Sequence, residues 1–345
     1  MSHDGDAAAQ VGQPGPGDAA RWRDPLTRAP QLAGRPEPVR RATYPTLDYE
    51  VDGRVARLTF NRPERGNTIT ADTPHDLAHA VERADLDPAV HVILVSGRGK
   101  GFCGGYDLGT YAEDAFADTG ARADGTAGTV VDPVVQAANH DPAGTWDPML
   151  DYAMMSRFTK GFSSLLHADK PTVVKLHGFC VAGGTDIALH ADQIVAADDC
   201  KIGYPPTRVW GVPSAGLWAH RIGDQRAKRL LLTGDCLSGK EAAEWGLAVE
   251  AAPADQLDER TEVLVQRIAR MPVNQLMMVK LALNSSLLAS GVATSSMVST
   301  VFDGVSRHTR EGYAFQQRAA QVGFKQAVRE RDEPFGDHGP STFKG

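Results

Sequence analysis

Disulfide chemistry is the first thing this sequence lacks. Its 345 residues hold four cysteines, Cys103, Cys180, Cys200 and Cys236, with no C-x-x-C pair, too few and too scattered for a disulfide framework. They read as reduced and mostly buried. No H-E-x-x-H or comparable ligand cluster occurs, so no metal centre is expected. No apolar run reaches the roughly eighteen residues of a membrane span, and the N-terminus lacks a basic-then-apolar signal pattern. A cytoplasmic protein is therefore expected. A net charge of −7 argues against a general nucleic-acid binder and offers no basic face to a membrane.

Large apolar residues are nearly missing from residues 1–43, which are rich in Gly, Pro, Ala, Asp and Arg. Such a segment cannot bury enough surface to offset its ordering entropy, and a disordered or loosely attached tail is expected. Order should begin near Tyr44. Leu47 to Val51 and Val55 to Phe60 read as strands around the hairpin signal Asp52-Gly53. Thr70 to Ala84 has helical spacing, and Val90 to Val95 reads as a buried strand. From Thr110 to Thr145 periodicity fails, as in a lid, an insertion or disorder, and helical spacing returns from Met149 to Leu166.

Lys175 to His190 is the stretch around which the chain is organised. Thr172 to Leu176 is a short β-branched run bounded by Pro171 and Gly178, the pattern of a buried strand. Gly183 and Gly184 then admit close approach of a ligand. A helix follows whose first turn carries Asp186, so unpaired N–H donors and an acid/base group stand about one turn apart. An earlier loop, Gly101-Phe-Cys-Gly-Gly-Tyr-Asp-Leu108, also follows a strand. It does not spell G-x-G-x-x-G opening a helix, which excludes a dinucleotide fingerprint. Gln193 to Ala197 and Lys201 to Gly203 read as strands, and Ala227 to Leu232 and Gly239 to Glu244 as helices. Leu257 to Arg270, Val273 to Ser290 and Val292 to His308 read as helices with a break at Gly291. Alternating strands and helices followed by helices alone predict one α/β domain with a helical C-terminal part.

Two N–H donors aimed from separate loops at one point would stabilise the oxyanion of a thioester enolate. Three segments, Gly101 to Leu108, His177-Gly-Phe-Cys-Val-Ala-Gly-Gly-Thr-Asp186 and Ile202-Gly-Tyr-Pro-Pro-Thr-Arg-Val-Trp-Gly-Val-Pro213, resemble those of the crotonase, or enoyl-CoA hydratase/isomerase, superfamily, in the family's order. The run Leu231 to Leu247 adds to the likeness. The resemblance implies a spiral of repeated ββα units over 44–271, with an insertion at about 110–145, and a helical trimerisation region over 272–345. It implies an acyl-CoA substrate, with coenzyme A present only as part of the thioester and no permanently bound cofactor, and a homotrimer or dimer of trimers.

Carried over by position, the oxyanion donors are Tyr106 and Gly183, with Gly104, Gly105, Asp107 and Gly184 beside them. Asp186 stands where family hydratases place one catalytic glutamate. The second glutamate is missing: Pro206 or Thr207 takes its place, flanked by Tyr204, Arg208 and Trp210. Asp132, His140, Asp147 and Asp151 are candidate substitutes from the insertion, the last two sharing a helix face. Arg62, Arg65 and Lys100 could pair with the phosphates of coenzyme A, and Arg329 or Arg331 could reach a neighbouring subunit. Hydration of a 2-enoyl-CoA is the simplest activity. Isomerisation, another enolate reaction, or catalytically inert acyl-CoA binding are the alternatives.

Overall fold

The computed structural model describes residues 34–107 and 127–336. Most of the expected tail, the first part of the insertion and Leu108 lie outside them. The chain begins as a meander of β1 (Arg41–Thr43), β2 (Leu47–Asp52) and β3 (Val55–Phe60). Asp52 pairs with Val55, so Gly53-Arg54 forms the turn, with Gly53 at φ 57°, a conformation glycine adopts without strain. β1 lies ahead of the expected onset at Tyr44. It pairs only with β2, so as an edge strand it needs no apolar run of its own.

α1 (Asp72–Leu86) then crosses to β4 (Val92–Gly97), which pairs parallel to β3. Such parallel pairing requires a crossover of this kind. After α2 (Pro133–Asn139), α3 (Pro148–Phe162) and α4 (Ser164–His167) comes β5 (Thr172–Leu176), parallel to β4. β6 (Phe179–Val181), α5 (Gly183–Leu189) and β7 (Gln193–Ala197) follow, and then β8 (Lys201–Gly203), α6 (Ala215–Ile222), α7 (Asp224–Leu231), β9 (Cys236–Leu237), α8 (Gly239–Trp245) and β10 (Glu250–Ala252). The main sheet has the order β1-β2-β3-β4-β5-β7-β10, and β6, β8 and β9 form a second, smaller sheet. In two successive turns, β5-β6-α5 and β7-β8-α6, the chain lays one strand in each sheet before its helix, the expected ββα unit.

The central strands read as continuous apolar runs because both of their faces are covered. Val92, Ile93, Val173, Val174 and Val195 are fully buried, each such side chain contributing about 1.5–3 kcal/mol of transfer free energy. Polar ties fix the layers. Thr46 N–H and Oγ1 donate to the buried Asp76 carboxylate of α1 at 3.0 and 2.8 Å. α9 (Leu257–Ala269), α10 (Val273–Ala289), α11 (Val292–Arg307), α12 (Arg310–Val322) and α13 (Phe324–Asp332) complete the chain.

Two of these helices carry an unusual surface. α10 buries only Val273 and Lys280, the lysine Nζ donating to Leu165 O and Lys170 O at 3.0 Å each. Met278, Leu281, Leu283, Met297 and Phe302 are exposed. Among the described residues no single helix is long and apolar enough to cross a membrane, and the apolar pair α10–α11 is bent by 58°.

The insertion departs from a structureless loop. Asp132 caps α2 by accepting Val134 N–H, and Pro133 sits in the first turn, a stop-and-start pattern of Asp-Pro favourable to a helix N-terminus. Seven residues are too few for a periodic signal.

Candidate functional site

The two glycine loops are stitched together by their backbones. Phe179 O accepts Phe102 N–H (2.9 Å) and Cys103 N–H (3.2 Å), and Cys103 O accepts Val181 N–H at 3.1 Å. At Gly105, φ is +93°, and a Cβ there would lie 2.7 Å from Ala182 Cβ, so only glycine lets the loops touch. Ile69 N–H donates to Gly105 O (2.8 Å), and Asp107 N–H donates to Ile69 O (2.9 Å). That pairing takes up one side of the backbone and turns Tyr106 N–H to the other.

On the second loop Ala182 adopts φ 53°, ψ −131°, a sparsely populated conformation for a residue with a Cβ, costing about 1–3 kcal/mol. Its N–H donates to Gly203 O at 3.0 Å, and its carbonyl accepts Thr185 N–H at 2.9 Å. This strained pivot opens α5. Gly183 N–H lies in the first turn, where helix donors lack intrahelical partners, and has no backbone acceptor among the described residues. A Cβ on Gly183 would lie 2.8 Å from the Tyr106 ring. The two expected donors are therefore neighbours.

Beside them opens a cavity of about 430 Å³. Gly104, Tyr106 and Ala182 line it from the loops, Met154, Met155 and Phe158 from α3, and Tyr204, Pro206 and Trp210 from the third segment. Further walls come from α2, α11, α12 and α13. The ring of Trp210 packs against His140 and Phe324, both at 5.9 Å between centroids.

Asp186 lies in the first turn of α5, as expected. It is 5 % exposed, it is not among the residues lining the cavity, and its Oδ1 accepts Ser214 N–H at 2.9 Å. Burial pushes its carboxyl up to about 7, against the lowering effect of Ser214. Tyr204 lines the cavity. It is 3 % exposed, and Asp186, Asp303 and Tyr106 all act electrostatically on its hydroxyl, which burial raises well above the ordinary tyrosine value.

Several expected binding residues serve the scaffold. Asp107, 3 % exposed, is paired with Arg62 and Arg65 at 3.0 Å each and accepts Thr68 Oγ1. Its carboxyl is held below the ordinary range by these donors, which outweigh burial. Both arginines thus pin the first loop. Gly184 packs on Cys103 O, which a Cβ would meet at 2.7 Å. Thr207 Oγ1 donates to Tyr204 O within its own turn. Arg208 has a side chain 2 % exposed and pairs with Asp332 at 3.0 Å and Asp235 at 3.5 Å. Lys100 is exposed on the rim of a shallow hollow shared with Gly66, Gly99 and Phe179.

The insertion residues divide similarly. Asp132 and Asp147 are helix N-caps, accepting Val134 N–H and Met149 N–H. Asp151 lines the cavity, but its carboxylate is taken up by Arg307 (3.0 Å), Trp146 Nε1 (2.6 Å) and Asn139 Nδ2 (3.3 Å). His140 also lines the cavity, with Nε2 hydrogen-bonded to Arg307 O at 2.7 Å. Burial lowers its pKa. Arg331 lines the cavity while paired with Asp332, and Arg329 is not among the lining residues. All four cysteines are buried. Sequence reasoning missed Asp303 and Arg307 of α11, which reach the cavity. Their i, i+4 spacing in an otherwise uncharged helix was the available signal.

The sequence profile described as enoyl-CoA hydratase/isomerase matches residues 50–128 and 146–326. A crystal structure of an enoyl-CoA hydratase from Mycobacterium smegmatis is 65% identical, superposes with a TM-score of 0.81, and covers 88% of this chain and 98% of its own. Among curated proteins, one named probable enoyl-CoA hydratase in Mycobacterium bovis is 27% identical over 251 residues, 72% of this chain and 84% of that protein. The 1,2-epoxyphenylacetyl-CoA isomerase of Escherichia coli is 26% identical over 239 residues, covering 68% and 80%.

Proposed function

We propose that this chain, which belongs to the enoyl-CoA hydratase/isomerase family, binds an acyl-CoA thioester in the cavity beside Tyr106 and adds water to, or removes it from, a 2-enoyl group. The carrying observation is the junction of the two glycine loops. The backbones at Gly105 and Ala182 touch, and the Tyr106 and Gly183 N–H groups belong to adjacent residues of that junction. We assign them to the thioester oxygen. Preorganised donors of this kind oppose the charge that grows on the oxygen as the enolate forms.

The apolar walls from α3 suit an acyl chain, while Lys100 and Lys201, at the Phe179 end of the cavity and its neighbouring hollow, suit coenzyme A phosphates. Proton migration within the acyl group is the second reading, favoured by the absence of a carboxylate at Pro206. An inert binding protein is less well supported, since a strained backbone at Ala182 persists only where the surrounding structure holds it.

The exposed apolar residues of α10 and α11 support a homotrimer or a dimer of trimers. A cytoplasmic location is part of the same proposal, supported by four buried thiols that form no disulfide.

A panel of coenzyme A thioesters with product identification tests the reaction. Within it, Gly183→Pro, which removes one donor and also crowds Ile69 and Tyr106, should lower kcat by at least about 10²-fold, or about 2.7 kcal/mol. An unchanged kcat would sink the oxyanion assignment.

A further inference from the structure

Among the described residues three carboxylates line the cavity: Asp151, Asp303 and Asp332. Asp151 is taken up by Arg307, Trp146 and Asn139. Asp332 is engaged by Arg208 and by both Nε and a terminal nitrogen of Arg331. Asp303 differs. Its Oδ1 accepts Val212 N–H at 3.1 Å, and among the described residues the ion-pair partner of its Oδ2 is Arg307 Nη1 at 3.7 Å, beyond hydrogen-bond length. One oxygen is held and the other keeps acceptor capacity within the cavity.

Its position is rigid. α11 approaches α3 so closely that a Cβ on Gly304 would lie 2.8 Å from Asp151 Cβ, and on its other side a Cβ on Gly216 of α6 would meet Ser295 at 2.7 Å. The loop bearing Val212 also bears Ser214, whose N–H holds Asp186. The two carboxylates thus hang from amides two residues apart, no more than about 7 Å along the chain. Asp303, Tyr204 and the oxyanion residue Tyr106 all line the same cavity.

We infer that Asp303 is the catalytic acid/base of this enzyme, standing in from the C-terminal helices for the carboxylate missing at Pro206. The assignment rests on the acyl-CoA reading above. Asp303 Oδ2 removes the proton from C2 of the acyl group; the C–H pair becomes the C1–C2 double bond, and the C1=O pair moves onto the oxygen held by Tyr106 and Gly183 N–H. In the reverse direction the carboxyl returns a proton to C2. In hydration the same carboxylate accepts the proton of water as its oxygen bonds to C3, and delivers that proton to C2, so one acid suffices. Burial raises the Asp303 carboxyl, in the direction that strengthens it as a base.

The test is exchange of C2 hydrogen in D2O, followed by mass spectrometry with butyryl-CoA and phenylacetyl-CoA as probes. Wild type should incorporate deuterium. Asp303→Asn, which keeps an acceptor for Val212 N–H, should lose at least 100-fold in exchange with thioester Kd within threefold. Asp303→Glu, which retains the carboxylate, should exchange at least tenfold faster than Asp303→Asn. Equal exchange by Asp303→Asn and wild type, or equal loss in Asp303→Asn and Asp303→Glu, overturns the role of Asp303 while leaving the family activity standing. Absence of both binding and exchange in wild type overturns the acyl-CoA reading and this assignment with it.

Discussion

At the residue scale, Asp186 shows how the fold sets the chemistry of a carboxylate placed by its motif. The motif fixes where it stands in the chain, but the fold turns its carboxylate to Ser214 N–H in a site too dry to ionise readily. Its pKa rises from 3.8 unfolded to about 7 folded, mainly through burial. Folding therefore favours the protonated form. The contribution is fully present below pH 4 and is lost as pH climbs from about 4 through 7. Asp186→Asn, neutral at every pH and still able to accept from Ser214, should stabilise the protein, and more so at pH 8 than at pH 5. The expected difference is on the order of a few kcal/mol, at about 1.4 kcal/mol per unit of pKa displacement. Urea melts at the two pH values measure it; an equal effect at both would mean that Asp186 is ionised throughout.

At the element scale, the arginines expected at the site are engaged in ion pairs that join distant elements. Arg208 joins the turn after β8 to α13 through Asp332, with Phe335 under its guanidinium at 3.9 Å. Arg208→Ala should cost about 3 kcal/mol, because removing one partner leaves buried carboxylates less compensated, and Arg208→Lys should restore only part, since an ammonium lacks the planar fork. A shift in urea midpoint with Kd for a thioester little changed is the expected pattern. A large loss of binding with unchanged stability would return Arg208 to the substrate. Neither role was legible in the sequence, where Arg208 simply flanks the altered Pro206 position. The strands were legible, because β-branched runs such as Thr172 to Leu176 announce burial on both faces. α2 was not: its seven residues leave no period to read, and its helix shows only through the Asp132 cap and its contacts with the cavity.

At the scale of the whole molecule, α10 and α11 present more apolar surface than an isolated chain usually leaves to water. Leu281 and Leu283 are 52% and 68% exposed, and exposed apolar residues of this kind support the proposed assembly. Light scattering should give a mass near three or six times 36.9 kDa, and Leu281→Glu should shift it toward the single chain by placing a charge in that interface. A monomeric wild type would remove the assembly from the proposal.

By itself the sequence determined what depends on local pattern: the alternation of strand and helix, the two glycine loops, and their order along the chain. Those features follow from backbone sterics and hydrophobic period, which neighbours in sequence decide. The tertiary structure alone decided which side chains meet. Asp186 and Asp303 lie 117 positions apart in the chain, yet they are held by amides two residues apart in one loop. The arginines at 62 and 65 close on Asp107. Burial, and with it pKa and hydrogen-bond capacity, is set by packing between distant elements, so the chemistry of a carboxylate here is a property of the fold and not of its motif.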